Sequence, residues 1–184
     1  ETADPNMATS DKMIGSSAAW AAGYTGAGSR IAIIDTGADV DHPSLDPDAL
    51  KYALQGSNAT IMTEADLTDE VLNQLNAYTR KAGLTAADFY VNEKIPFGFN
   101  YVDADTDITH DNDTQGDHGS HVTGIAAGNR FVKDEAGNYV AALDSVMTQG
   151  VAPDAQILTM KVFGKGGGAY DSDYMAAIED AIVL

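Results

Sequence analysis

Cysteine is absent from the 184 residues, which excludes a disulfide framework and thiol catalysis while leaving the compartment open. Basic residues are scarce: 10 Lys and Arg stand against 28 Asp and Glu, for a formal charge of −18. Phosphate backbones are held by clustered cations, so nucleic acid is not the expected partner; bound cations or basic substrates suit this balance better. Long apolar runs are missing as well. None approaches the ~20 residues of a membrane helix, and Glu1-Thr2-Ala3-Asp4-Pro5 has neither the basic nor the apolar region of a signal peptide. The chain begins without Met, so any leader would already be gone and secretion stays open. What is present is a 44% apolar composition, enough for a sizeable core in one domain or part of a larger one.

The hydropathy pattern predicts alternating helices and strands. Residues 1–15 read as a surface arm, and the alanine-rich Ser16–Ala22 as a short helix stopped by Gly23. Ile31-Ala32-Ile33-Ile34 is a continuous apolar run suited to a buried parallel strand, and Asp35 stands at its carboxyl end, where open α/β sheets bind ligands. Residues 45–60 show no strong pattern. Thr63-Glu64-Ala65-Asp66 resembles a capping box, and Leu67, Val71, Leu75 and Tyr78 then predict a helix of about 18 residues running toward Gly83. Phe97–Val102 and Gln156–Phe163 read as strands, His118–Ala127 as a helix, and residues 129–149 as a polar insertion turning at Ala136-Gly137-Asn138. Tyr174, Ala177, Ile178, Ala181 and Ile182 fall on one face of a last helix, capped by Asp171 or Ser172.

Two residues stand where chemistry would need them. A serine nucleophile requires a histidine to take its proton, and that histidine requires a carboxylate to fix its tautomer. His118, within His118-Gly119-Ser120-His121-Val122-Thr123-Gly124, and Asp35, within Ile33-Ile34-Asp35-Thr36-Gly37, fit those two roles. No serine of the chain lies in a nucleophile setting, and the sequence stops at Leu184 inside a helical pattern. Asp35-Thr36-Gly37 also suits an aspartic protease, but no second Asp-Thr-Gly completes a dyad. His118 and His121 are spaced like metal ligands, yet the Glu of a zincin motif is replaced by Gly119, so His121 is expected to be a buried structural histidine. Asp103, Asp105, Asp107, Asp111 and Asp113 suggest a calcium loop but lack its glycine and its closing glutamate, which favours a solvated acidic loop. Gly164-Lys165-Gly166-Gly167-Gly168-Ala169 fits a dinucleotide fingerprint only formally, and bare backbone there equally suits the addition of an extended peptide.

Four blocks together resemble the subtilisin-like serine proteases: Gly26 to Gly37, His42-Pro43, His118 to Gly128, and Gly150-Val151-Ala152-Pro153-Asp154-Ala155. The order Asp before His, with Ser to follow, is also theirs. The resemblance covers most of residues 16–184, read as the N-terminal portion of the catalytic domain, and implies an α/β fold with a parallel sheet flanked by helices. It implies that Asp35 orients His118, that His118 is general base and then general acid, and that Thr36, Gly37, Gly119 and His121 are structural near the site. Phe163, Gly164, Gly166, Gly167, Gly168 and Tyr170 become substrate-binding residues, with Phe163 and Tyr170 flanking a side-chain pocket. The 83-position separation of His118 from Asp35 includes an insertion at about 45–110 that resembles lactocepin-type cell-envelope proteinases and streptococcal complement-fragment peptidases. Ser44 stands where many members carry a calcium-binding aspartate, and Ser120 where threonine is frequent. The resemblance implies a polypeptide substrate, no cofactor for the chemistry, no metal at the active centre, a structural calcium of unknown location, and an extracellular or cell-envelope bacterial setting. The serine and the oxyanion asparagine are expected beyond Leu184 or on a second chain, which would leave this chain inert alone. The rival from another class is a non-catalytic module that binds peptides or partners along the Gly-rich edge.

Overall fold

The computed structural model describes residues 13–110, 116–164 and 166–184. Its centre is a parallel sheet in the order β1-β5-β2, formed by β1 (Arg30–Asp35), β5 (Gln156–Lys161) and β2 (Phe97–Asn100). Parallel strands require both faces covered, and all six residues of β5 are buried. The registers pair Asp35 with Lys161 and Asn100 with Lys161, so the three carboxyl ends finish level with one another. That common edge is where the functional side chains collect.

Side-chain alternation divides the core in two. Phe97, Phe99, Leu158 and Met160 face a cluster closed by Leu72, Leu75, Phe89, Ala176 and Ala177, while Ile33 and Ile157 face Ala38, Leu45, Ile95, Ile108 and Ala127. Helices therefore lie on both faces, as the α/β expectation requires. α1 (Ser16–Ala21) precedes β1, α6 (His118–Ala127) packs on β1, and α8 (Asp171–Val183) closes the opposite face. Between β1 and β2 lie α2 (Pro47–Ala53), α3 (Asp69–Leu72), α4 (Asn76–Arg80) and α5 (Ala86–Phe89). Between α6 and β5 an antiparallel hairpin, β3 (Phe131–Lys133) and β4 (Tyr139–Ala141), turns at the expected Ala136-Gly137-Asn138 and leads into α7 (Ala142–Ser145).

Several boundaries differ from the sequence expectation. α2 was not predicted, although Asp46 accepts a bond from Asp48 N and Pro47 opens the helix, a strong start signal. The strands expected to reach Val102 and Phe163 end at Asn100 and Lys161, and α8 begins at Asp171 behind Tyr170, without a side-chain cap. The largest correction is the helix of residues 67–83, which is broken into α3 and α4. The Thr63–Asp66 contact does form, Asp66 accepting from Thr63 N at 2.7 Å and from its hydroxyl at 2.9 Å, but only a 3₁₀ turn follows. Leu75 is extended at ψ 135° with its side chain buried, and α4 restarts at Asn76.

A carboxylate from the far end of the sequence causes the restart. Asp180 of α8, fully buried, accepts from Asn76 N at 2.6 Å, Ala77 N at 2.9 Å and the Tyr101 hydroxyl at 2.8 Å. It supplies the N-terminal acceptor that α4 lacks locally. Asp180→Ala would strand two amides and a phenol in the core, and should cost about 3–5 kcal/mol. The readout is the urea midpoint at constant m value; a loss below about 1 kcal/mol would show the carboxylate to be dispensable.

Lys94, also fully buried, donates from Nζ to the carbonyls of Pro153 at 2.9 Å and Ala155 at 2.8 Å, fixing the turn that enters β5. Burial pulls its amine down from 10.5 to about 7, against the opposing attraction of Asp154. Between those values the unfolded chain binds more protons than the folded one, so stability should rise with pH from about 7 toward 10.5. Denaturation at pH 7.5 and 9.5 checks this, and the rise should flatten in Lys94→Met.

Candidate active site

Asp35 ends β1 and His118 opens α6, so one side chain leaves a sheet edge and the other a helix start. His118 Nδ1 lies 2.8 Å from Asp35 Oδ1, which also accepts from Thr36 N at 2.7 Å. The Asp35 side chain is 14% exposed and the imidazole 66% exposed. With Nδ1–H donated to the carboxylate, Nε2 of the neutral ring is the unprotonated nitrogen. It has no hydrogen-bond partner among the described residues.

Two hydroxyls tie the loop after β1 to the first turn of α6. Gly119 N donates to Thr36 Oγ1 at 2.9 Å, and Asp39 N donates to Ser120 Oγ at 2.7 Å. The approach is so close that a Cβ on Gly119 would sit 2.1 Å from Gly37 O. Gly37 itself has φ +104°, and a Cβ there would meet Ile108 O at 2.1 Å, while Ala38 N donates to that same carbonyl at 2.9 Å. Behind this strap the buried Lys161 donates from Nζ to Thr109 O. The 108–109 strap and Lys161 were not anticipated from the sequence; a lysine closing the mostly apolar run Ile157-Leu158-Thr159-Met160 was the available signal.

The Asp35 hydrogen bond, and then its charge, raise the His118 pKa above its ordinary 6.5. An NMR titration of His118 should accordingly show a midpoint above 6.5, and Asp35→Ala should bring it down by removing both effects. A midpoint that does not move would mean that the pair is not formed in solution.

The remaining expected residues are less concentrated. His121 is exposed rather than buried, because α6 buries the stripe Gly119, Thr123 and Ala127 and sends His118, His121 and Ile125 outward. Phe163 follows β5, its N–H 3.4 Å from Asp35 O, and packs edge-on against Tyr174 at 5.8 Å. Tyr170 is 70% exposed. Gly164 begins a turn closed by Gly167 N to Gly164 O at 3.0 Å, Gly167 having φ +80°. Gly166 and Gly168 border open space. In the acidic loop Asp105 and Asp107 accept from backbone two residues on; Asp111 and Asp113, like Lys165, lie outside the described residues. No group of three or more His, Asp or Glu among the described residues is placed to hold a metal.

A part-buried aspartate holding an exposed histidine at the carboxyl edge of a parallel sheet is the arrangement that a Ser/His/Asp hydrolase uses for its acid–base pair. Comparison with known proteins places that class within one family: a model described as the subtilase family matches residues 26–183, and the chain belongs to the subtilases. It is 33% identical to the PI-type proteinase of Lactococcus lactis subsp. cremoris over 96% of this chain and 8% of that protein. It is 28% identical to the minor extracellular protease Vpr of Bacillus subtilis, over 99% of this chain and 16% of that protein. A C5a peptidase of Streptococcus pyogenes is 29% identical over 86% of this chain and 11% of that protein. The chain thus spans less than a fifth of the length of each of these relatives.

Proposed function

We propose that this chain contributes the acid–base half of a serine endopeptidase, with Asp35 orienting and His118 acting as general base and then general acid. The observation that carries the reading is the 2.8 Å bond from His118 Nδ1 to Asp35 beneath an open Nε2. In that geometry a serine hydroxyl delivers its proton to Nε2 as its oxygen attacks the peptide carbonyl, and Asp35 stabilises the imidazolium that forms. The amine then leaves with that proton, and water repeats the sequence on the acyl-enzyme. None of these steps draws on a metal or cofactor.

The serine and the oxyanion donors lie outside these 184 residues, later in the same polypeptide or on a second one. Phe163, Gly164, Gly166, Gly167, Gly168 and Tyr170 form the substrate edge, which follows β5 beside Asp35 and opens to solvent at Gly166 and Gly168. An extracellular or cell-envelope setting follows from the company of an extracellular protease of Bacillus subtilis; no helix among the described residues is long and apolar enough to cross a membrane.

The product of the complete reading frame should react with a fluorophosphonate probe at one serine, identified by mass spectrometry, and these 184 residues alone should not react. A folded full-length product that fails to label would overturn the peptidase reading in favour of a module that only binds peptides.

A further inference from the structure

We infer that Asp103 selects substrates carrying a lysine or arginine side chain close to the cleaved bond. The inference rests on the peptidase reading above and names the substrate class of that same site. Asp103 follows β2 and is held against the sheet end: its N–H donates to Asn100 Oδ1 at 3.1 Å, and Asn100 Nδ2 donates to Asp103 Oδ2 at 3.0 Å. Asn100 is buried at 2% exposure and is the last residue of β2, so these two bonds anchor the Asp103 turn to the end of a strand.

Placement relative to the catalytic pair is the second part of the argument. Asp103 Oδ2 lies 3.1 Å from where a Cβ would stand on Gly164, a buried residue of the substrate edge, with Val102 covering the rest of that glycine. Gly164 follows Phe163, whose N–H approaches Asp35 O at 3.4 Å. Successive Cα atoms are about 3.8 Å apart, which puts the carboxylate within about two residues of the Asp35 main chain. A peptide with its carbonyl at His118 would bring the side chains nearest its reacting bond to this carboxylate.

The third part is that Asp103 is available. Asp103 Oδ2 accepts from Asn100 Nδ2, whereas Asp103 Oδ1 accepts no hydrogen bond among the described residues. Two nearby cations are engaged elsewhere: Arg80 with Asp173 and the Tyr101 carbonyl, Lys161 with the Thr109 carbonyl. An exposed carboxylate beside bare backbone, in a chain of charge −18, fits a long cationic side chain that water no longer screens once the peptide is bound.

The test uses the product of the complete reading frame and a peptide library read by mass spectrometry, with fluorophosphonate labelling reporting an intact active centre in every variant. The wild type should favour Lys or Arg within two residues of the cleaved bond. Asp103→Asn keeps the bonds to Asn100 and should lower the basic-over-neutral ratio of kcat/KM about tenfold, while Asp103→Lys should invert it. A labelled, active wild type with no such preference, or a preference that survives both substitutions, overturns the inference and leaves the peptidase reading standing. A wild type that does not label removes both.

Discussion

Replacing His118 with alanine should lower kcat of the full-length product by about six orders of magnitude if it is the proposed general base, the loss seen in a subtilisin deprived of its catalytic histidine. Without an imidazole the serine keeps its proton, and the oxyanion donors and substrate contacts are left to supply what acceleration remains. Asp35→Ala should cost less, about 10⁴-fold, again as in a subtilisin. The asymmetry follows from the geometry. With Asp35 gone the ring still occupies the start of α6 and can still accept a proton, but it loses the acceptor that fixes Nδ1–H, and Thr36 N loses its partner on the same oxygen. Single-turnover kinetics on the two variants and their double mutant check this. The double mutant should be no slower than His118→Ala, because the two residues act as one unit. Losses below about tenfold in either variant would place the chemistry elsewhere.

Asp35 and His118 were legible because their neighbours restrict what the chain can do there. An aspartate that ends an apolar strand needs a partner, and the glycines of Thr36-Gly37 and His118-Gly119 permit backbones to touch; both features show in sequence. The strands were legible from their apolar runs, but their ends were not. Beyond Asn100 the aromatic pattern continues into Tyr101, whose N–H still bonds Lys161 O although β2 has ended. The helix of 67–83 failed because its break is encoded over a hundred residues away, in Asp180, where no local pattern can report it. His121 was misjudged for a different reason. The buried stripe of α6 is small and partly polar, Gly119, Thr123 and Ala127, so hydrophobicity does not mark which face turns inward.

That small stripe makes the second large prediction. Gly119→Ala should lower kcat at least about 100-fold, although Gly-to-Ala exchange within a helix ordinarily stabilises it by up to about 1 kcal/mol. The added methyl would stand 2.1 Å from Gly37 O and 3.0 Å from Gly37 N, both backbone atoms that no rotamer change can move. Nor can the helix slide away freely, because Gly119 N is bonded to Thr36 and Ser120 Oγ to Asp39 N. Gly37 cannot retreat either, having Ile108 O behind it. Relief requires α6 and the loop after β1 to separate by about 1 Å, and a shift of that size at reacting groups costs about two orders of magnitude in rate. Overpacking should add about 1–3 kcal/mol of destabilisation. Gly124→Ala is the control: on the same helix a Cβ there meets nothing within 4 Å, so stability should hold or rise by up to about 1 kcal/mol. The His118 titration distinguishes a displaced pair from a merely weakened fold, since only separation from Asp35 returns its midpoint toward 6.5. A Gly119→Ala protein that keeps both its rate and its raised midpoint would show that the contact of Gly119 with Gly37 does not hold the pair together.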